Sequence, residues 1–177
     1  RNGGGAVETP LVLVCTHAKR DTCCAVKGRP LAAELVEDYP DMVWETSHTK
    51  GHRFAPSVML MPWGYSFGRM NKEAAAQMIA AAARGKYFYP VNRGRGIFGP
   101  RGQVAELAVA RALIDAGEEL SYGQLTATDS GEVSHIDGRR WRVTLEEREV
   151  EGVVSSCGDA PKTGQAIVAT GVEPVAG

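Results

Sequence analysis

Leu11 to Cys15 is an unbroken apolar run, Leu-Val-Leu-Val-Cys, bounded by polar and turn-forming residues. A run this short and this rich in valine predicts a buried central strand, ending in a polar loop from Thr16 to Thr22. Apolar positions then recur at helical spacing around Leu31, Leu35 and Val36, with Pro30 placed for a first turn and Pro40 beyond the far end. Met42 to Thr46 reads as a second strand and Ser57 to Pro62 as a third. Between them Ser47 to Pro56, rich in His, Gly, Arg and Lys, has little apolar period and reads as a loop. Trp63-Gly64 turns the chain into Tyr65 to Met70, and Asn71 caps an Ala-rich helix that stops at Gly85.

The order strand, helix, strand, strand, strand, helix predicts an α/β fold with a thioredoxin-like core, in which the histidine loop replaces the middle helix. Tyr87 to Gly102 reads as a Gly/Arg/Pro-rich connection. Gln103 to Ala116 reads as a helix with Val104, Leu107, Ala108 and Ile114 on one face. Alternation in Trp141, Val143 and Leu145, with turn signals at Asp129-Ser130-Gly131 and Asp137-Gly138, predicts a small antiparallel sheet after that helix. Gly152 to Gly164 reads as a loop and Pro174 to Gly177 as a frayed tail. The expected organisation is a flexible lead-in over 1–10 containing Gly3 to Gly5, a thioredoxin-like domain with its connector over 11–102, and a C-terminal α+β module over 103–177.

Composition narrows the function. With 177 residues, 44% of them hydrophobic, the chain can bury a real core, and a net charge of −1 offers no global field for nucleic acid or an anionic membrane. No apolar run approaches the roughly 20 residues of a membrane helix, and Arg1 to Pro10 lacks the apolar stretch of a secretory signal, so a cytoplasmic protein is expected. A start on Arg1 rather than Met reads as processing or as a cut from a longer product.

The chemistry concentrates early. Three of the four cysteines fall within ten residues, which suits a metal or redox site better than a disulfide framework. Cys15 and Cys24 are separated by eight residues and His48 and His52 by three, each pair read as lying on a short loop that leaves a strand. Two thiolates and two imidazoles suit tetrahedral zinc or a 2Fe-2S cluster whose iron takes nitrogen as well as sulfur. The spacing leaves both open, although zinc modules usually bring their cysteines two to four residues apart. It also leaves open whether Cys23 or Cys24 is the ligand. Cys15-Thr16-His17 is the first half of a Rieske signature whose second half is missing, so His17 reads as a neighbour of the site or a surface residue. Arg20, Lys50 and Arg53 flank the ligand loops, where they could donate to the centre or meet an acidic partner, and Trp44 reads as packing. Gly94-Arg-Gly-Ile-Phe-Gly99 matches a dinucleotide fingerprint literally, but Pro90 and Pro100 bracket it and no strand-to-helix unit is expected around it. Cys157 reads as a free thiol.

The segments from Val14 to Pro30, with Cys-Thr-His-Ala-Lys-Arg-Asp-Thr-Cys-Cys, and from Trp44 to Ala55, with Ser-His-Thr-Lys-Gly-His-Arg-Phe, resemble the sucrase/ferredoxin-like family. The likeness runs from about Leu11 to Met70 and more loosely through Tyr89 to Ala105. It implies a thioredoxin-like ferredoxin domain with a 2Fe-2S cluster held by Cys15, Cys24, His48 and His52, and it leaves Cys23 on a position that need not be cysteine. Many relatives have Asp where His52 stands, and thioredoxin folds carry a cis proline at the position of Pro56. The resemblance further implies an electron carrier rather than a catalyst, working with a redox partner protein, with no nucleic acid or membrane partner and with room for a homodimer. The alternatives are a thiol-disulfide redox enzyme using Cys23 or Cys24 at a helix N-terminus, and a structural zinc domain. No paired carboxylates are placed for glycoside hydrolysis.

Overall fold

The computed structural model describes residues 9–19, 21–49 and 51–176, with His52 described through its backbone; Gly3 to Gly5, Arg20 and Lys50 lie outside the described residues. The first half of the chain forms β1 (Leu11–Cys15), α1 (Thr22–Asp38), β2 (Val43–Thr46), a single 3-10 turn (His52–Phe54), β3 (Ser57–Met61), β4 (Tyr65–Gly68), α2 (Lys72–Ala83) and β5 (Asn92–Arg95). The five strands make one sheet in the order β2-β1-β3-β4-β5, with β2 parallel to β1 and the other pairs antiparallel. This is a thioredoxin-like core, and as in that fold the Ala55–Pro56 bond entering β3 is cis.

Val12 and Val14 are fully buried and pack with Leu35 of α1, Met78 and Ile79 of α2, and Val58, Leu60, Tyr65 and Phe67 of the neighbouring strands. Leu11 and Leu13 between them are only half-buried. β1 is a central strand, as expected, and is covered chiefly on the face where both helices sit. α1 also begins earlier than Pro30 indicates. Asp21 caps it by accepting from the Cys23 amide at 2.9 Å, so Cys23 and Cys24 lie in its first turn and Pro30 in its interior. The burial of Ala25, Leu31 and Leu35 holds the helix through the missing bond. Trp44 stands 58% exposed on the edge strand β2, so it is not core packing.

The second half adds α3 (Pro100–Asp115), β6 (Leu125–Ala127), β7 (Glu132–His135), β8 (Arg140–Val153) and β9 (Lys162–Pro174), the strands forming an antiparallel sheet in sequence order. Ala105, Val109 and Leu113 of α3 pack on Leu125, Val133, Trp141 and Val143 as a second core. Two elements escape the hydrophobic pattern. β5 lies inside the expected connector because an edge strand reading Asn-Arg-Gly-Arg has no apolar alternation. β8 and β9 run into the expected loop, paired as far as Val153 with Lys162, because the outer half of β8, Glu146 to Gly152, is exposed on both faces and carries no alternation. The glycines of the fingerprint do lie between a strand and a helix, with Pro100 at the first turn of α3. They are not a phosphate site, because Asp129 already occupies that helix N-terminus and accepts from Gly102 N at 2.8 Å.

Glu106, fully buried on α3, accepts a hydrogen bond from the Tyr65 hydroxyl of β4 and so joins the two cores. Among the described residues its second oxygen, Oε2, has no hydrogen-bond partner, and neither has the nearby Tyr87 hydroxyl. Burial pushes the Glu106 carboxyl up to about 7, opposed by the Tyr65 bond and by Arg95. A carboxyl raised in the fold favours its neutral form there. Its contribution is complete below about 4.5 and is lost as pH rises through 7. Denaturant unfolding should therefore show stability falling between pH 5 and 8 by an amount on the order of 3 kcal/mol, and Glu106→Gln should abolish that slope; an unchanged slope would assign it elsewhere. Gly28 tests the packing of α1 on β1. A Cβ there would lie 2.2 Å from the Cys15 carbonyl oxygen, so Gly28→Ala should cost about 1–3 kcal/mol net of its gain in helix propensity, and an equal or higher midpoint would refute the close approach.

Candidate metal centre

Cys15 is the last residue of β1 and is 1% exposed. Because Gly28 lets α1 lie against the Cys15 carbonyl, the first turn of the same helix comes down beside the Cys15 side chain, and there Cys24, also 1% exposed, points inward. The two cysteines and Ala55 form one small buried cluster, with Cys23 packed against it. Cys24 is thus delivered by a helix and not by a loop. Both thiols are free. Burial, then the neighbouring Cys15 thiol and the Asp21 carboxylate, push the Cys24 thiol up to about 12. With no cation to balance them, two thiolates are disfavoured in this cluster, and a metal that bound them would release protons.

The parallel register of β1 and β2 sets the histidines. Cys15 pairs with Thr46, and Thr16 N still bonds Thr46 O at 3.2 Å, so the two loops leave the sheet side by side. His17 and His48, each two residues beyond those strand ends, face one another with ring centroids 6.3 Å apart. His52 opens the 3-10 turn, which closes through Phe54 N to Gly51 O at 2.9 Å; its side chain lies outside the described residues. Cys15 and Cys24 are therefore brought together, and the His48 loop leaves beside Cys15. Among the described residues, the group whose donor atoms all lie within 4.8 Å of one another is instead Asp21, Cys23 and Cys157. A single ion needs donors that close, whereas a two-iron centre spreads its four ligands over two metals.

Cys157 is not free: it forms a disulfide with Cys23 across 134 residues of sequence. Asp21 serves both ends of that link, Oδ1 accepting from Cys23 N at 2.9 Å and Oδ2 from Cys157 N at 2.8 Å. Two signals in the sequence point this way. Asp before Thr-Cys-Cys has the form of a helix cap, and setting aside Cys15 and Cys24 leaves Cys23 and Cys157 as the remaining pair.

Beyond the His52 turn, the guanidinium carbons of Arg53, Arg69 and Arg93 lie 4.6, 5.8 and 4.3 Å from the centre of the Phe54 ring. None of the three has a carboxylate partner among the described residues, whereas Arg101, Arg111, Arg139, Arg142 and Arg148 of the second half all do. Burial and the Arg53 charge lower the pKa of Arg93. Gly51 makes room for the Arg93 guanidinium and Gly68 for Phe54 and the Arg93 stem. Arg69 and Arg93, from opposite ends of the β4–α2–β5 segment, carry no sequence signal that unites them with Arg53.

No curated protein matches the chain. Two solved structures resemble part of it. A thioredoxin-like [2Fe-2S] ferredoxin from Aquifex aeolicus is 16% identical, covering 51% of this chain and 94% of that one with a TM-score of 0.42. A cysteine-to-serine variant of the thioredoxin-like [2Fe-2S] ferredoxin from Aquifex aeolicus is 17% identical over 43% of this chain and 88% of that one, with a TM-score of 0.37. The family description sucrase/ferredoxin-like matches residues 5–94, a span holding both cysteine and histidine pairs and just over half of the sequence. The chain belongs to the sucrase/ferredoxin-like family.

Proposed function

We propose that the protein is a one-electron carrier whose 2Fe-2S cluster is held by Cys15, Cys24, His48 and His52. The observation that carries this reading is the pair of free, buried thiols of Cys15 and Cys24 beside the histidine loop, while the third nearby cysteine, Cys23, is drawn away into a disulfide. The residues fit such a group in donor chemistry, two soft sulfurs and two imidazoles, and the cluster, when bound, supplies reversible one-electron transfer. The chain's own contribution is to set the charge around it. Two thiolates and two neutral imidazoles leave the oxidised centre near zero formal charge, against about −2 for four thiolates, so adding an electron is easier. Burial of Cys15 and Cys24 keeps water from the sulfur side. Arg53, Arg69 and Arg93, gathered on Phe54 of the His52 turn with no carboxylate partner among the described residues, favour a redox partner presenting carboxylates, since guanidinium groups match them two bonds at a time. Among the described residues no helix is long and apolar enough to cross a membrane.

Purified protein should be red-brown, contain about two irons and two sulfides per chain, and lose its visible absorption on dithionite. A colourless protein with one zinc would overturn the reading. The midpoint potential should fall as pH rises from about 6 to 10, because an imidazole ligand loses its proton more readily in the oxidised state, with a slope of up to about 59 mV per unit for each proton. A flat profile would remove histidine from the ligand set. His48→Cys and His52→Cys should each lower the potential by on the order of 100 mV, and a variant with an unchanged value would identify a residue that is not a ligand.

A further inference from the structure

The loop between β8 and β9, residues 154–161, reaches back from the second sheet to the first turn of α1. It is bound there by the Cys23–Cys157 disulfide and by the Cys157 amide on Asp21. A cleft of about 260 Å³ lies between the two halves, walled by Cys23, Lys27, Arg53 and Ala55 on one side and by Val154 and Cys157 among others on the loop side. Ala55 belongs to the same buried cluster as Cys15 and Cys24, so the loop lies over the approach to the candidate centre. The outer half of the β8–β9 ribbon has no core beneath it, and Cys157 is exposed. The disulfide, together with the Cys157 amide on Asp21, is what fixes the tip of this hairpin, and Cys157 is the exposed half of the link.

We infer that Cys23–Cys157 is a thiol-exchangeable disulfide that latches this hairpin across the metal centre, and that a dithiol reductant opens it. One thiolate of the reductant attacks the Cys157 sulfur. The S–S bond breaks, its electron pair goes to the Cys23 sulfur, and that sulfur takes up a proton. The second thiolate then attacks the mixed disulfide, and the Cys157 sulfur leaves and is protonated. Two electrons and two protons reach the protein, and the dithiol departs as a disulfide. Exposed disulfides are the readily reduced ones, and Cys157 is the exposed partner of this one, so an incoming thiolate meets it first. The joining of the loop to Cys23, which packs against the Cys15, Cys24 and Ala55 cluster, carries this inference, whatever metal the neighbouring residues hold.

The test uses the full chain, purified in air, with dithiothreitol as the dithiol. Alkylation without reductant followed by digestion should yield the Cys23 and Cys157 peptides joined. Dithiothreitol should release both as thiols and raise the rate of proteinase K cleavage within 154–161 at least tenfold. Cys157→Ser should be cleaved at that higher rate from the outset and should not respond to dithiothreitol. Joined peptides with cleavage unaffected by reduction would overturn the latch. So would two thiols alkylated at once in untreated protein, or one zinc per chain shielding them, as an ion held by Asp21, Cys23 and Cys157 would do. None of these readouts requires an iron-sulfur cluster, so their failure and a failure of the electron-carrier reading are separately visible.

Discussion

The buried carboxylate of Asp21 is the constraint on which the rest of the site depends. It is 5% exposed, and both of its oxygens are spent on backbone amides, one from the helix it starts and one from a loop 136 residues away. Capping at this residue fixes where α1 begins. That choice of start turns Cys24 inward to Cys15 and leaves Cys23 at the rim, so one hydrogen bond sorts two adjacent cysteines into different chemistry. A helix begun one residue earlier or later would rotate the pair by about 100°. The glycine at 28 completes the arrangement, because the helix can then close on the end of β1 without a side chain between them.

A second buried acid does for the two halves what Asp21 does for the site. Glu106 comes from the helix of the second core and accepts from a tyrosine of the first, inside a group of aromatic rings that includes Tyr65, Tyr87 and Tyr122 with centroids 5.0 to 5.3 Å apart. The two acids differ in how they are satisfied. Asp21 has donors for both oxygens, while Glu106 has one oxygen without a donor among the described residues and lies where burial dominates, so its neutral form is favoured. The cationic residues are distributed with similar economy. Arg101, Arg111, Arg139, Arg142 and Arg148 of the second half pair with carboxylates on their own surface, while Arg53, Arg69 and Arg93 crowd on the Phe54 ring beside the histidine loop with no carboxylate partner among the described residues.

The periodic elements and the donor spacing were legible in the amino-acid order alone. The alternation of Trp141, Val143 and Leu145, the Asn71 cap and the Asp137-Gly138 turn are local signals, and local backbone preference together with burial of one face is enough to realise them. The likeness around the cysteines and histidines likewise put Cys15, Cys24, His48 and His52 forward as a set. Relations between segments with no pattern of their own were settled by packing in three dimensions. The edge strand β5 exists because β4 offers it hydrogen bonds, not because Asn-Arg-Gly-Arg prefers to extend. The outer β8–β9 ribbon, the joining of Cys157 to Cys23 and the gathering of three arginines on one ring all depend on how two cores pack. Spacing along a chain records which residues are neighbours in sequence, whereas contacts across 134 residues arise from the packing of whole elements, which leaves no periodic trace at either end.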